Sequence, residues 1–298
     1  MSEDKRLTET VAASVRRWYD EHGWQRDAGS GLFRDTATFS GAGSSGSPGA
    51  AHYEARSYQD LDGTFGAGRY FIDAASGALA HSEYIPWSSE FSARICIDIS
   101  GVALREARQR LGDHGLYIQA NLAQLPLGDN SIDGGVSAYT IQHIAADEQA
   151  LAVQELARVL APGHSLYILT GVEPTLRHWA YRLLRPVLRG STYKGKARVE
   201  ALYYYPRTAD WWRETIGTLG LRGEVRTLRL LRPNEYRWLF GRSTWVVKWL
   251  RALELALPNA TLAFAASALV RITKPVVPQR DGVSSEPQRD SRHPRAPE

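Results

Sequence analysis

The stretch RYFIDAASGALA (69–80), followed by RICIDIS (94–100), decides the fold. Each begins as a short apolar run of strand-forming residues and ends in a carboxylate, Asp73 or Asp98, the first followed by small residues. Working outward, GLYIQA (115–120), DGGVSAYT (133–140) and SLYILTG (165–171) read as three more strands. Between them, VALREARQRLGD (102–113) and ADEQALAVQELARVLAPG (146–163) carry helical periodicity, the second ending on the helix stop Ala161-Pro162-Gly163. Near-continuous apolar strands alternating with helices predict a parallel α/β sheet covered on both faces. GEVRTLRLL (223–231) alternates as a strand, and TLAFAASALVRITKP (261–275) predicts a final one. The expected architecture is a Rossmann-like, doubly wound, seven-stranded sheet. It is mostly parallel, with the last strand antiparallel and inserted beside the fifth.

Around this centre, residues 1–30 read as an amphipathic helix (Leu7, Val11, Val15, Trp18, Tyr19) running into an aromatic turn. SGAGSSGSPGAA (40–51) reads as a mobile Gly/Ser-rich loop, so 1–68 is expected to be an N-terminal helix and lid region. The main domain is expected over 69–275, with a helical, aromatic insertion at about 172–250 and a disordered tail over 276–298. The 43 % hydrophobic and 23 % charged residues exclude a wholly disordered chain. A single cysteine, Cys96, excludes an internal disulfide or multi-cysteine zinc site and reads as a small core residue; no metal is expected. The N-terminus lacks an apolar signal core, and Leu255–Val270 is too short and too interrupted to span a bilayer, so a cytoplasmic location is expected. Charge is unevenly spread within a net +4: 71–170 holds 5 basic and 11 acidic residues, whereas 171–275 holds 19 and 7. This split suits a cationic ligand on the first half and an anionic one, or an anionic membrane surface, on the second.

Ligands of open parallel sheets bind beyond the carboxyl ends of the strands. There, Asp73-Ala-Ala-Ser-Gly77 is a turn of small residues that admits close approach of a ligand. Asp98 can accept both hydroxyls of a ribose, and Asn121-Leu122 supplies an amide and an apolar face for a base. Ser137 and Tyr139 end the fourth strand, and His143 follows as a usable general base.

In combination, FIDAASGALA, CIDIS, QANLAQLPLGDNSIDGGVSAYTIQHI and ELARVLAPG resemble the class I S-adenosylmethionine-dependent methyltransferases, in the group often called type 11. The resemblance is close over about 69–171 and looser to 275. It implies S-adenosyl-L-methionine as cofactor, held by Asp73, Ala75, Ser76, Gly77, Asp98, Ile99, Asn121, Leu122 and Ser137. It also implies His143 at the reaction centre and Tyr139, Tyr203, Tyr204 and Tyr205 toward the acceptor. The acceptor is expected to be a small-molecule, lipid- or saccharide-linked, anionic metabolite; nucleic acid is not expected, because no RNA-binding module is visible. Two departures stand out. Ala75, Gly77 and Leu79 occupy the positions of a Gly-x-Gly-x-Gly run, so the turn is expected to avoid positive φ at Leu79. Asn121 replaces an acid and is expected to accept the adenine amino group through its carbonyl oxygen. Two other readings are a dinucleotide oxidoreductase, weakened by the missing Gly-x-Gly-x-x-Gly turn, and a non-catalytic scaffold of the same fold.

Overall fold

The computed structural model describes residues 3–40, 43, 46–173, 176 and 202–276, with the backbone alone over 3–10. Its strands are β1 (Gly68–Ala74), β2 (Phe91–Asp98), β3 (Gly115–Gln119), β4 (Gly134–Ala138), β5 (Ser165–Gly171), β6 (Arg222–Arg229) and β7 (Ser267–Thr273). They form one sheet in the order β3-β2-β1-β4-β5-β7-β6. The first five are parallel neighbours, and β7 runs antiparallel to both β5 and β6. The expected seven strands and the antiparallel last strand beside the fifth are therefore observed. The chain reverses its direction of winding between β1 and β4, which opens a crevice beyond their carboxyl ends.

The strands are apolar because both faces are covered. Ile72, Ile97, Ile168 and Val270 pack with α5 (Gln149–Val159) through Val153 and Leu156 on one side. Phe71, Val136, Tyr167 and Leu269 pack with Tyr58, Leu61 and Phe65 on the other. The N-terminal region thus supplies part of the cover of the sheet. α1 (Glu3–Trp18) passes into a π-helical turn over Tyr19–Gly23, the aromatic turn foreseen in the sequence; α2 (Arg34–Phe39) follows.

Two readings are corrected. The Gly/Ser-rich stretch is not a loop to its end: α3 (Pro48–Gln59) starts inside it, and Ala50 is fully buried. Ser47 Oγ accepts from Ala50 N (3.3 Å) and Pro48 takes the first turn, so a cap and a pre-set φ outweigh composition. Residues 41, 42, 44 and 45 lie outside the described residues. Likewise 172–250 is not simply an insertion, because β6 lies inside it and completes the sheet. There α6 (Ala209–Thr218), capped by Thr208 Oγ1 on Trp211 N (3.0 Å), buries Trp212 in the core. α7 (Pro233–Phe240) and α8 (Val246–Ala256) pack with α3 through Tyr53, Tyr236 and Val247. The basic stretch 177–189 and the tail 277–298 lie outside the described residues. α4 (Gly101–Leu111) covers β2 and β3.

Candidate functional site

The carboxyl end of β2 places Asp98 in the crevice. Its Oδ2 accepts from Gly77 N (2.9 Å) and its Oδ1 from Ser100 N (2.8 Å), which fixes the carboxylate between the first turn and the start of α4. Burial pushes its pKa up to about 6 against the lowering effect of those two bonds, and Asp73 and Asp20 add to the rise. Ala75, Ile99, Ala120, Asn121 and Leu122 join Asp98 on one wall of a cavity; Thr140, His143 and Glu148 form another, and Ala12 and Val15 of α1 close it.

The first turn overturns one expectation. Ala75 (φ 61°), Gly77 (φ 54°) and Leu79 (φ 50°) are all left-handed, so the turn keeps its glycine geometry with two residues that carry a Cβ. Each pays roughly 1–2 kcal/mol for that conformation. At Leu79 the strain is offset by complete burial against Cys96, Leu104 and Ala107. Ala75 buries only a methyl group. Ala75→Gly is therefore expected to raise stability by about 1 kcal/mol, a Tm gain of about 2–4 °C, whereas Leu79→Gly loses about 2–4 kcal/mol of packing. Thermal unfolding of both variants checks the contrast, and a less stable Ala75→Gly protein would refute it.

A ligand was expected to lie against Gly77, but the indole of Trp24 is there, 2.6 Å from where a Cβ would stand. Trp24 stacks on Tyr19 (5.2 Å between centroids) and meets Phe33 edge-on (5.9 Å), so the aromatic turn after α1 plugs this side. Asp73 does not face the cavity: its carboxylate is buried in an ion pair with Arg94 Nε (3.0 Å) and Nη2. Ser76 sits under the turn, its N–H donating to Ile97 O (3.0 Å). Ser137 is fully buried beneath the crevice, with no partner for its hydroxyl among the described residues. The Asn121 carbonyl oxygen accepts from Ala123 N (3.0 Å), an Asx turn, rather than standing clear for a base. Of the residues expected around the cofactor and reaction centre, the structure brings Ala75, Asp98, Ile99, Asn121, Leu122 and His143 to the cavity, but not Asp73, Ser76, Gly77 or Ser137.

His143 Nδ1 lies 2.7 Å from Tyr203 O, a contact that requires a proton on Nδ1 and makes Nε2 the acceptor. Burial lowers its pKa, outweighing the bond to Tyr203. Tyr203 OH accepts from Ala146 N (3.2 Å), and Tyr205 N donates to Gln142 O (2.7 Å), so 203–205 is strapped across the loop after β4. Of the three tyrosines, Tyr204 brings its ring to His143 (5.7 Å), while Tyr204 and Tyr205 are each about half exposed.

Beyond Tyr139 lies a polar cluster that the sequence did not reveal. Tyr139 is left-handed (φ 56°), and its hydroxyl accepts from Arg229 Nη2 (2.5 Å). Arg229 also binds Glu54 Oε1 (2.6 Å) and lies over the Tyr58 ring (5.2 Å). Asp35, pushed up to about 7 by burial and by repulsion from Glu54, belongs to the same surroundings. Nothing in a single sequence joins Glu54 to Arg229, 175 residues apart; the one local signal was an arginine closing the alternating strand β6.

Among the described residues the cavity lining contains two carboxylates, Asp98 and Glu148, and no lysine or arginine. That donor set fits a nucleoside bearing a positive sulfonium and is unsuited to a pyrophosphate. Among the described residues no group of histidine, cysteine or carboxylate side chains could hold a metal, and no helix is long and apolar enough to cross a membrane.

Comparison with known proteins agrees with this geometry. Residues 72–168 match the family described as methyltransferase domain. The ubiquinone/menaquinone biosynthesis C-methyltransferase of Hahella chejuensis is 36 % identical over 86 residues, which cover 27 % of this chain and 34 % of that protein. The chain therefore matches about a third of the length of such curated relatives. Phosphoethanolamine N-methyltransferase 2 of Haemonchus contortus, solved with S-adenosyl-L-methionine, superposes with a TM-score of 0.55 at 18 % identity, covering 88 % of this chain and 60 % of that one. The [4+2]-cyclase SpnF superposes with a TM-score of 0.50 at 14 % identity over 92 % and 97 % of the two chains, a likeness of fold alone. The matched segment spans β1 to β5 and the crevice at their ends, so residues 72–168 are similar in sequence and in fold to a methyltransferase domain.

Proposed function

We propose that the chain transfers a methyl group from S-adenosylmethionine to an anionic small-molecule acceptor, free or linked to a lipid or saccharide. The observation that carries the reading is the lining at the switch point, acidic and without lysine or arginine among the described residues, with Asp98 fixed by two backbone N–H groups and His143 on the facing wall. When bound, the cofactor supplies an electrophilic methyl on a sulfonium. Asp98 would hold its ribose hydroxyls, and Ile99, Asn121 and Leu122 its base. The work left to the protein is alignment and exclusion of water, to which the plug of Trp24 and Tyr19 is suited. His143, kept neutral by burial and oriented by Tyr203 O, presents Nε2 as the base for an acceptor hydroxyl or amine. The 19 basic residues of 171–275 against 7 acidic ones support an anionic acceptor, since the cofactor itself is cationic.

Titration calorimetry with S-adenosylmethionine and with NAD tests the reading: binding of the first and not the second is expected, and the reverse would refute it. His143→Gln is expected to lower kcat about 10²–10⁴-fold with little change in cofactor affinity. Its loss should remove the fall in kcat at acid pH, which occurs below the ordinary histidine range because burial lowers the pKa. Unchanged turnover would remove His143 from the chemistry.

A further inference from the structure

α8 exposes an apolar side while burying charge. Its packed side carries the buried charges Arg251 and Glu254 beside Val246 and Val247, and its solvent side carries tryptophan and leucine. Arg251 binds Asp60 Oδ2 (2.9 Å), Leu228 O (2.6 Å) and Glu254 Oε2 (2.5 Å), while Glu254 Oε1 accepts from Leu230 N (2.7 Å) and from Tyr53. These bonds fix the rotation of the helix, because turning the apolar side inward would strand the buried charges. With 3.6 residues per turn, Trp245, Trp249, Ala252, Leu253 and Ala256 then share the outward arc. Trp245 is 68 % and Trp249 62 % exposed, and Leu253 and Leu255 are exposed beside them.

Along the segment that carries this face the exposed charges have one sign. Between Tyr236 and Phe264 the exposed charged residues are Arg237, Arg242 and Lys248, and the only carboxylate of that segment, Glu254, is buried. Lys248 lies on the flank of the arc, its ammonium 5.2 Å from the Trp249 ring centre, where a long stem can pass the apolar layer and reach a headgroup. We propose that this face docks on an anionic lipid bilayer, with α8 lying in the plane of the headgroups. Tryptophan prefers that interface, and the basic flank is complementary to acidic lipid. The helix is 11 residues long, about 16 Å, too short to span, so it lies on the surface. A second copy of the chain fits less well, since apposing the same face would bring like charges together. The inference is independent of methyl transfer and concerns a different segment of the sequence from the basic stretch 177–189.

The test is co-sedimentation of the full-length chain with phosphatidylcholine vesicles, with and without phosphatidylglycerol. Binding to the mixed vesicles alone is expected, weakening as salt rises. The exposed double variant Trp245→Ala/Trp249→Ala is expected to bind at least about tenfold more weakly, and Lys248→Glu to lose most of the preference for acidic lipid. S-adenosylmethionine affinity measured in parallel is expected to stay unchanged, which separates this proposal from the functional one. No binding to either vesicle would overturn it, as would equal binding to both. Undiminished binding of the double variant would also overturn it, including the case where Arg182→Gln/Arg185→Gln/Arg189→Gln abolishes binding instead. A dimer dissolved by the double variant, without vesicle binding, would assign the face to a second copy and refute the proposal.

Discussion

Arg94→Met is expected to destabilise the protein by about 3–5 kcal/mol, lowering Tm by roughly 10 °C. Arg94 is completely buried, and its guanidinium binds Asp73 Oδ2 and donates from Nη1 to Tyr84 O (2.6 Å) while lying over the Phe71 ring (5.4 Å). Met fills much of the volume but leaves a carboxylate in the core without a partner. The size of the loss comes from that orphaned charge and not from the worth of the pair. The double variant Asp73→Asn/Arg94→Met should therefore recover a large part of the loss. Loss of the arginine also raises the native pKa of Asp73, because the cation that lowers it is gone and desolvation remains. A group whose native pKa is raised contributes stability below its unfolded pKa and loses it as pH rises, so Arg94→Met should be less damaging at pH 5 than at pH 8. Thermal unfolding of the single and double variants at both pH values measures this. A single-variant loss under about 1 kcal/mol, or a double variant no better than the single, would remove the ion pair from the account of stability.

The same pair marks the limit of what the sequence disclosed. The strand rhythm of 69–171 was legible because both faces of the sheet are covered, which makes each strand an apolar run ending at the crevice. Asp98, Asn121 and His143 were legible for the same reason: a polar residue at the end of such a run has few places to be except the crevice. Asp73 satisfied the same rule and faces the other way, because its partner Arg94 stands on the neighbouring strand, 21 residues later. Pairing across a sheet is long-range information that a linear reading lacks. Leu79 failed differently. Its side chain argued against a left-handed backbone, but the turn geometry is set by β1 and α4, and packing with Cys96 and Leu104 compensates locally. The plug of Tyr19 and Trp24 and the Glu54–Arg229–Tyr139 cluster come from segments that touch only once the chain is folded.

Asp98→Ala is expected to weaken S-adenosylmethionine binding by at least about 100-fold, since two charge-assisted hydrogen bonds are each worth roughly 1.5–3 kcal/mol. The substitution also leaves Gly77 N and Ser100 N without their acceptor, so the turn that walls the cavity loosens as well. Asp98→Asn separates the two effects: its carbonyl oxygen can still accept from one of these N–H groups, but it carries no charge. The wild-type response to pH gives an independent handle. Burial holds Asp98 at a pKa of about 6, and the ionised form is the one that accepts both hydroxyls, so cofactor affinity should fall about tenfold per unit as pH drops below 6. Stability should respond in the opposite direction. The native pKa lies above the unfolded value near 3.9, so this group stabilises the cofactor-free fold at low pH and loses that contribution as pH rises from about 4 to 6. Opposed trends in affinity and stability over one pH window are specific to a raised carboxylate that must ionise to bind. In Asp98→Asn the pH dependence of affinity should disappear while the affinity itself stays low. Calorimetry between pH 5 and 8 on the wild type and Asp98→Asn decides the matter: an affinity flat across that range in the wild type, or a fully binding Asp98→Ala protein, would take Asp98 out of the cofactor site.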